Sequence, residues 1–199
     1  MERERFLRKH PRLYHLAEAG SYGSIVRHGL LSTSALLDLF GVSGEERFRI
    51  ESSRRPEMVE LHHPEHGSAL IRDNKPINER ALRNSLTDTS SREWYETLNR
   101  RVFFWVDEER LSRLVNARAY RDREHLVLEV DARKLVERHH NRIRISTLNT
   151  GAAFPLGAPS RGSDTFRMLE EYPLKKPVVE LTVDHSVPDI REFIVRRRP

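Results

Sequence analysis

The residues whose types can do chemistry in this chain are His15, Glu180 and the arginines Arg72 and Arg101. Glu180 lies in the stretch PVVELTVDHSVP, which alternates as a strand does. Val179, Leu181 and Val183 point one way there, and Val178, Glu180 and Thr182 the other. A carboxylate in so apolar a strand is costly to bury unless it has a partner or a task. The task would be to polarise a ribose hydroxyl or to activate a nucleophile beside a developing oxocarbenium ion. The alternative is a solvated face or a salt bridge to one of the 35 basic residues. His15, in LYHL, can hydrogen-bond a ribose hydroxyl or a phosphate, or it can be a satisfied core histidine. Arg72 leaves the end of a strand, while Arg100 and Arg101 precede VFFW. A guanidinium at any of these positions can grip a pyrophosphate with two hydrogen bonds, or be an ordinary surface arginine.

These residues need elements to hold them. Leu13–Leu16 reads as a strand, followed by a helix over Tyr22–His28 with Ser21 as its cap, Gly29 as its stop and the polar pair Ser32/Thr33. Such a strand–helix unit gathers a histidine, turn backbone and hydroxyls into one place. Short helices are expected over 34–40, 45–53, 78–86 and 92–98, with strand-like runs at 58–61 and 69–71. RVFFWV, residues 101–106, is an apolar run too short for a helix and reads as a buried strand. Asp107 caps a helix expected over 108–119, His125–Val130 is a strand, and Asp131 caps a helix over 132–138. A strand at 142–146 leads into a Gly/Pro/Ser-rich loop, 149–163, long enough to suggest a functional role. Val178–Asp184 and Arg191–Arg197 are expected to pair and close the sheet. Strands and short helices without regular βαβ alternation imply an α+β fold.

The chain has 199 residues, enough for one domain over 1–199 with a substantial core. Apolar residues make up 37% and are spread throughout, as in a globular protein. No apolar run is long enough for a membrane span, and the charged N-terminus MERERFLRKHPRLYHL lacks the core of a secretory signal. Without cysteine there is no disulfide or thiolate chemistry, which fits a cytoplasmic protein. A net charge of +5 and a pI near 9.8, carried mostly by arginine, favour contact with DNA, RNA or another polyanion. The 30 acidic residues allow instead a mixed, solvated surface. His62, His63 and His66 surround Pro64, which breaks the helix that would align them, so no metal is assigned. GxGxxG, GxxxxGK and GxSxG are all absent, which disfavours Rossmann dehydrogenases, phosphate-loop NTPases and α/β-hydrolases.

Three segments in order resemble the ADP-ribosyltransferase-fold superfamily. LYHLAEAGSYGSIVRHGLLST is similar to its opening strand–helix unit, RVFFWVDEERLSRLVNARAY to its aromatic strand and following helix, and PVVELTVDHSVP to the glutamate strand of DarT-type DNA-modifying toxins. LVLEVDARKLVERHHNRIRIS echoes the RNA 2′-phosphotransferases, which share the fold. The chain looks closest to an uncharacterised bacterial family within this superfamily.

The resemblance implies a split β-sheet core and NAD as substrate. It puts His15, Leu16 and Ser32 on NAD, with Phe103, Phe104 or Trp105 covering the nicotinamide. Arg72 and Arg101 would hold pyrophosphate or substrate, and Glu180 would be the catalytic carboxylate. Leu16 stands where a Thr or Ser commonly follows the histidine, and a phenylalanine where many members stack a tyrosine. The implied activity is NAD-dependent ADP-ribosyl transfer to a nucleic acid. The alternatives are 2′-phosphotransferase-like chemistry and a non-catalytic nucleotide- or nucleic-acid-binding module.

Overall fold

Caps and alternation set the local elements, and a computed structural model describes residues 2–172 and 175–199. In chain order these are α1 (Glu2–Lys9), β1 (Arg12–Glu18), α2 (Tyr22–His28), β2 (Leu30–Leu31), α3 (Thr33–Leu39) and α4 (Gly44–Glu51). There follow β3 (Val59–His63), β4 (Gly67–Ile71), α5 (Glu79–Ser85), α6 (Ser91–Asn99), β5 (Arg101–Trp105) and α7 (Glu108–Val115). The chain continues through β6 (His125–Asp131), α8 (Ala132–His139), β7 (Ile143–Ser146), β8 (Glu180–Asp184), β9 (Ser186–Val187) and β10 (Ile194–Arg198). The fold is mixed α and β, as expected, around a six-stranded antiparallel sheet in the order β10-β6-β1-β5-β8-β7.

That sheet is continuous within each half and almost severed in the middle. β1 pairs with β6 along its whole length, from Arg12 opposite Asp131 to Glu18 opposite His125. β5 pairs with β8 from Arg101 opposite Asp184 to Trp105 opposite Glu180. Between β1 and β5 a single pair remains, Tyr14 opposite Trp105. Beyond it the two strands diverge, and the imidazole of His15 reaches across to the Phe103 carbonyl, Nδ1 to oxygen 2.9 Å. A side chain thus takes up an acceptor that a continued ladder would have given to backbone.

Register assigns the faces. Leu13, Phe104, Leu128, Val130, Leu181 and Val183 share one face and form the main core, covered by Phe6 and Leu7 of α1 and Leu135 and Val136 of α8. The opposite face of β5 and β8 presents Arg101, Phe103, Trp105, Glu180 and Thr182. A second cluster lies there, built from Ile77, Leu82, Trp94, Tyr95 and Phe166, with Phe103 packed on it. A third, of Leu37, Phe40, Ile50, Leu61 and Ile71, joins α3 and α4 to the β3–β4 hairpin.

Three expectations are corrected. β8 and β10 do not pair: β8 lies between β5 and β7, while β10 lies beside β6 at the far edge. Ile194 packs there against the main core, and the arginines that follow stay on the outer strand. RVFFWV is buried on one face only, at Val102, Phe104 and Val106, because its other face meets a cavity. α7 stops at Val115, where Asn116 caps it, because of its residues only Leu111 is buried. Smaller shifts occur as well. The Ser21 hydroxyl donates to the Glu18 carbonyl instead of capping α2, and His62 and His63 belong to β3, not to a turn. No helix among the described residues is long and apolar enough to cross a membrane.

Candidate functional site

The divergence of β1 from β5 opens a cavity of about 1070 Å³, at the upper end of the size range for small-molecule sites. All nine residues singled out from the sequence line it: His15, Leu16, Ser32, Arg72, Arg101, Phe103, Phe104, Trp105 and Glu180. By register His15 and Glu180 lie on opposite faces of the sheet, and the gap lets both reach one space.

His15 sits at the apex of the gap, its ring 5.7 Å from that of Phe104. A carbonyl can only accept, so Nδ1 carries the proton and donates to Phe103, which leaves Nε2 as an acceptor when the ring is neutral. The ring stays neutral because burial, and then the charge of Arg72, push its pKa down to about 4 against the pull of the Phe103 hydrogen bond.

Glu180 opens β8, opposite Trp105 on β5 and Ser146 on β7. Only 4% of its surface is exposed. Both of its donors come from one residue in the loop after β7: the Thr150 hydroxyl at 2.7 Å and the Thr150 N–H at 3.2 and 3.3 Å. Burial raises its pKa to about 7, against the opposing hydrogen bonds of Thr150 and the charges of Arg161 and Arg110. A carboxylate so placed exchanges a proton near neutral pH, which suits a general base.

The remaining expected residues divide between lining and structure. Leu16, Phe103 and Trp105 give half-buried apolar walls. Phe104 is buried in the main core beneath His15. The Ser32 hydroxyl oxygen accepts the Ala35 N–H at 3.2 Å and caps α3, so its position at the cavity serves the helix first. Arg101 pairs with Asp184 and lies 4.5 Å over the Phe166 ring. Arg72 donates to Glu18 at 2.9 Å and lies 5.4 Å over Tyr120. Arg123 holds the other Glu18 oxygen at 3.2 Å, and Tyr120 donates to the buried Asp73 at 2.9 Å. Arg55, also lining the cavity, is buried and donates to Asn99 at 3.1 Å. Burial lowers its pKa to about 10, which leaves it cationic at neutral pH.

Thr150, Arg161, Glu18, Arg123 and Arg55 were not found from the sequence. The length of the 149–163 loop was the one available signal for the first two. The histidines of HHPEHG gather without forming a metal site: the His63 and His66 rings stack 4.4 Å apart at 20°, and parallel rings do not aim their lone pairs at one ion. Among the described residues, no group of three or more His, Asp or Glu side chains is placed to hold a metal.

The profile of a family of unknown function, DUF7002, matches residues 11–194. The chain belongs to that family. No curated protein and no solved structure matches it. The DUF7002 match begins just before β1 and ends in β10, so it takes in both halves of the sheet and the whole cavity.

Proposed function

We propose that this DUF7002 protein is an NAD-dependent ADP-ribosyltransferase with an ADP-ribosyltransferase-like split sheet, acting on a nucleic acid. One observation carries the reading: a gap in the sheet brings a neutral, tautomer-fixed histidine, an aromatic wall and a buried carboxylate into one dinucleotide-sized cavity. Those residues fit NAD in type. His15 Nε2 would accept a ribose hydroxyl, Phe103 and Trp105 offer flat apolar surface to the nicotinamide, and Arg72 supplies a cation for the pyrophosphate. Glu180 would accept a hydrogen bond from the nicotinamide-side ribose and then the proton of the attacking group. The C1′–nitrogen bond breaks with its electron pair leaving on nicotinamide, and the acceptor forms the new bond at C1′. Arginine-rich surface and a pI near 9.8 support a polyanionic acceptor.

The phosphotransferase alternative would rest on a set of arginines, whereas the transferase reading rests on Glu180. Arg72 and Arg101 are held by Glu18 and Asp184, so in either reading a phosphate would have to share them with those carboxylates. The pure protein is to be incubated with NAD, with and without single-stranded DNA and RNA, and nicotinamide measured by mass spectrometry. Release that depends on nucleic acid, with an added mass on that nucleic acid, is the expected result. Binding of NAD or nucleic acid without any release would replace the reading by a non-catalytic module. A cyclic phosphate product from 2′-phosphorylated RNA would replace it by the phosphotransferase.

A further inference from the structure

Arg161 is the most deeply buried cation described in the chain, 1% exposed, and it lies outside the cavity lining. Among the described residues it has no carboxylate within ion-pair distance. Its Nη2 has no hydrogen-bond partner, and its guanidinium lies 5.6 Å over the Trp94 ring. Keeping such a group in the interior is unfavourable, and a core of this kind would accept an apolar side chain of similar volume. Arg161 does however make three bonds to backbone. Nη1 donates to the Thr150 carbonyl at 3.3 Å and to the Ala152 carbonyl at 2.9 Å, and Nε donates to Pro159 at 3.3 Å.

Its own backbone is fixed to α5. The Arg161 N–H donates to Ser85 at 2.8 Å, and its carbonyl accepts the Thr87 N–H at 3.0 Å. The segment it grips is a turn at Thr150–Gly151, closed only by a long Ala152 N–H bond to the Asn149 carbonyl at 3.4 Å and bridged beyond it at Ala153 to Ile77. The Arg161 guanidinium adds the side-chain hold on the turn itself. The Thr150 N–H and hydroxyl are the hydrogen-bond donors to Glu180. A continuous path therefore runs from the end of α5 through Arg161 to Thr150 and on to the carboxylate.

We infer that Arg161 is a positioning residue for Glu180, acting through the Thr150 carbonyl that it holds and not chiefly through its charge. The order of influences on Glu180 agrees: the Thr150 hydrogen bonds outrank the Arg161 charge. Rotation of Thr150 out of line would leave the buried carboxylate without donors and shift its titration upward. The inference deepens the transferase reading, because it assigns what holds the proposed base. It is tested on a property that does not need turnover.

The test is the Glu180 titration midpoint, read by NMR on protein carrying 13C at the glutamate δ-carbon, with Glu180→Gln identifying the signal. Arg161→Met, Thr150→Val and the double variant are compared with the parent, and Arg161→Lys is the milder substitute should the methionine variant fail to fold. Arg161→Met is expected to raise the midpoint by roughly one pH unit. In the Thr150→Val background it is expected to add less than half of that. An unchanged midpoint in a folded Arg161→Met protein overturns the inference, and so does a shift that adds in full to that of Thr150→Val. Should the parent release no nicotinamide at all, the transferase reading fails while these titrations still decide the role of Arg161. With turnover present, Arg161→Met is expected to lower kcat with KM nearly unchanged.

Discussion

Glu18 and Glu180 line the same cavity and are held in opposite ways. Glu18, at the open end of β1, is clasped by Arg72 and Arg123, one on each oxygen. Burial alone would raise its pKa, but the two guanidiniums outweigh burial and hold it below the ordinary value. Glu180, at the other side of the gap, has neutral donors only, and its pKa rises to about 7. A carboxylate braced by cations is a fixed charge, useful for structure and for orienting arginines. One braced by a hydroxyl and an amide remains able to take a proton. Deeper burial and uncharged partners together leave Glu180 able to take a proton near neutral pH, while Glu18 stays ionised.

The largest expected difference between them is in turnover. Glu180→Gln keeps the shape, exchanges one acceptor oxygen for an amide donor and cannot accept a proton, so nicotinamide release should fall by roughly 100-fold or more while NAD still binds. Glu18→Gln should cost only a few-fold. Equal losses, measured under saturating NAD, would break the contrast. The pH dependence of release sharpens it further, since a base with a pKa near 7 gives a rate that climbs through that pH and levels above it. A flat profile from pH 5 to 8 would remove Glu180 from the proton-transfer role.

Stability offers a smaller and opposite pair of effects. The folded pKa of Glu180 lies above its unfolded value of 4.5, so the protonated form favours folding and that stability is lost as pH rises from 4.5 through about 7. Glu180→Gln should therefore gain roughly 1–3 kcal/mol over the parent at pH 8, and little at pH 4.5, in urea unfolding. Glu18 has its folded pKa lowered, so its contribution is present above 4.5 and lost as pH falls through the folded value. Glu18→Gln should lose about 1 kcal/mol at pH 7, with the difference vanishing in acid. A Glu180→Gln protein less stable than the parent at pH 8 would mean that Thr150 is worth more to the carboxylate than burial costs. The smallest effect is spectroscopic. The His15 ring should keep its Nδ1–H tautomer and stay neutral down to about pH 4, which 15N shifts will show, and a midpoint near 6.5 would contradict the environment described for it.

Much of the local structure was legible in the sequence because it is set by neighbours in the chain. Asp107 and Asp131 were recognised as caps, and each accepts the N–H three residues on. The alternation that set Glu180 apart from Val179 and Leu181 reflects the pleat itself. Choice of strand partner was not legible. Whether β8 lies beside β10 or between β5 and β7 depends on surfaces far apart in sequence, and alternation is the same either way. Ser32 was visible as a polar residue near a turn, but the same signal serves a ligand and a helix cap. The length of the 149–163 loop marks the segment but not Thr150 or Arg161 within it, since an aperiodic loop has no pattern from which a buried arginine stands out.

The strand that carries His15 has a consequence for how the chain acquires its shape. Tyr14 meets Trp105 and Leu13 meets Val130, so β1 finds even its single contact with β5 only about 90 residues later, and its full-length partner β6 only after more than a hundred. β5 in turn waits for residues 180–184, and β6 for residues 194–198 to cover its second edge. Contacts so distant along the chain make folding slow, because a large loop must close before any of them rewards it. During synthesis the strand emerges early with open edges and completes its sheet last. Refolding from denaturant is therefore expected in the slow range of small domains, with both halves of the sheet gaining protection late and nearly together.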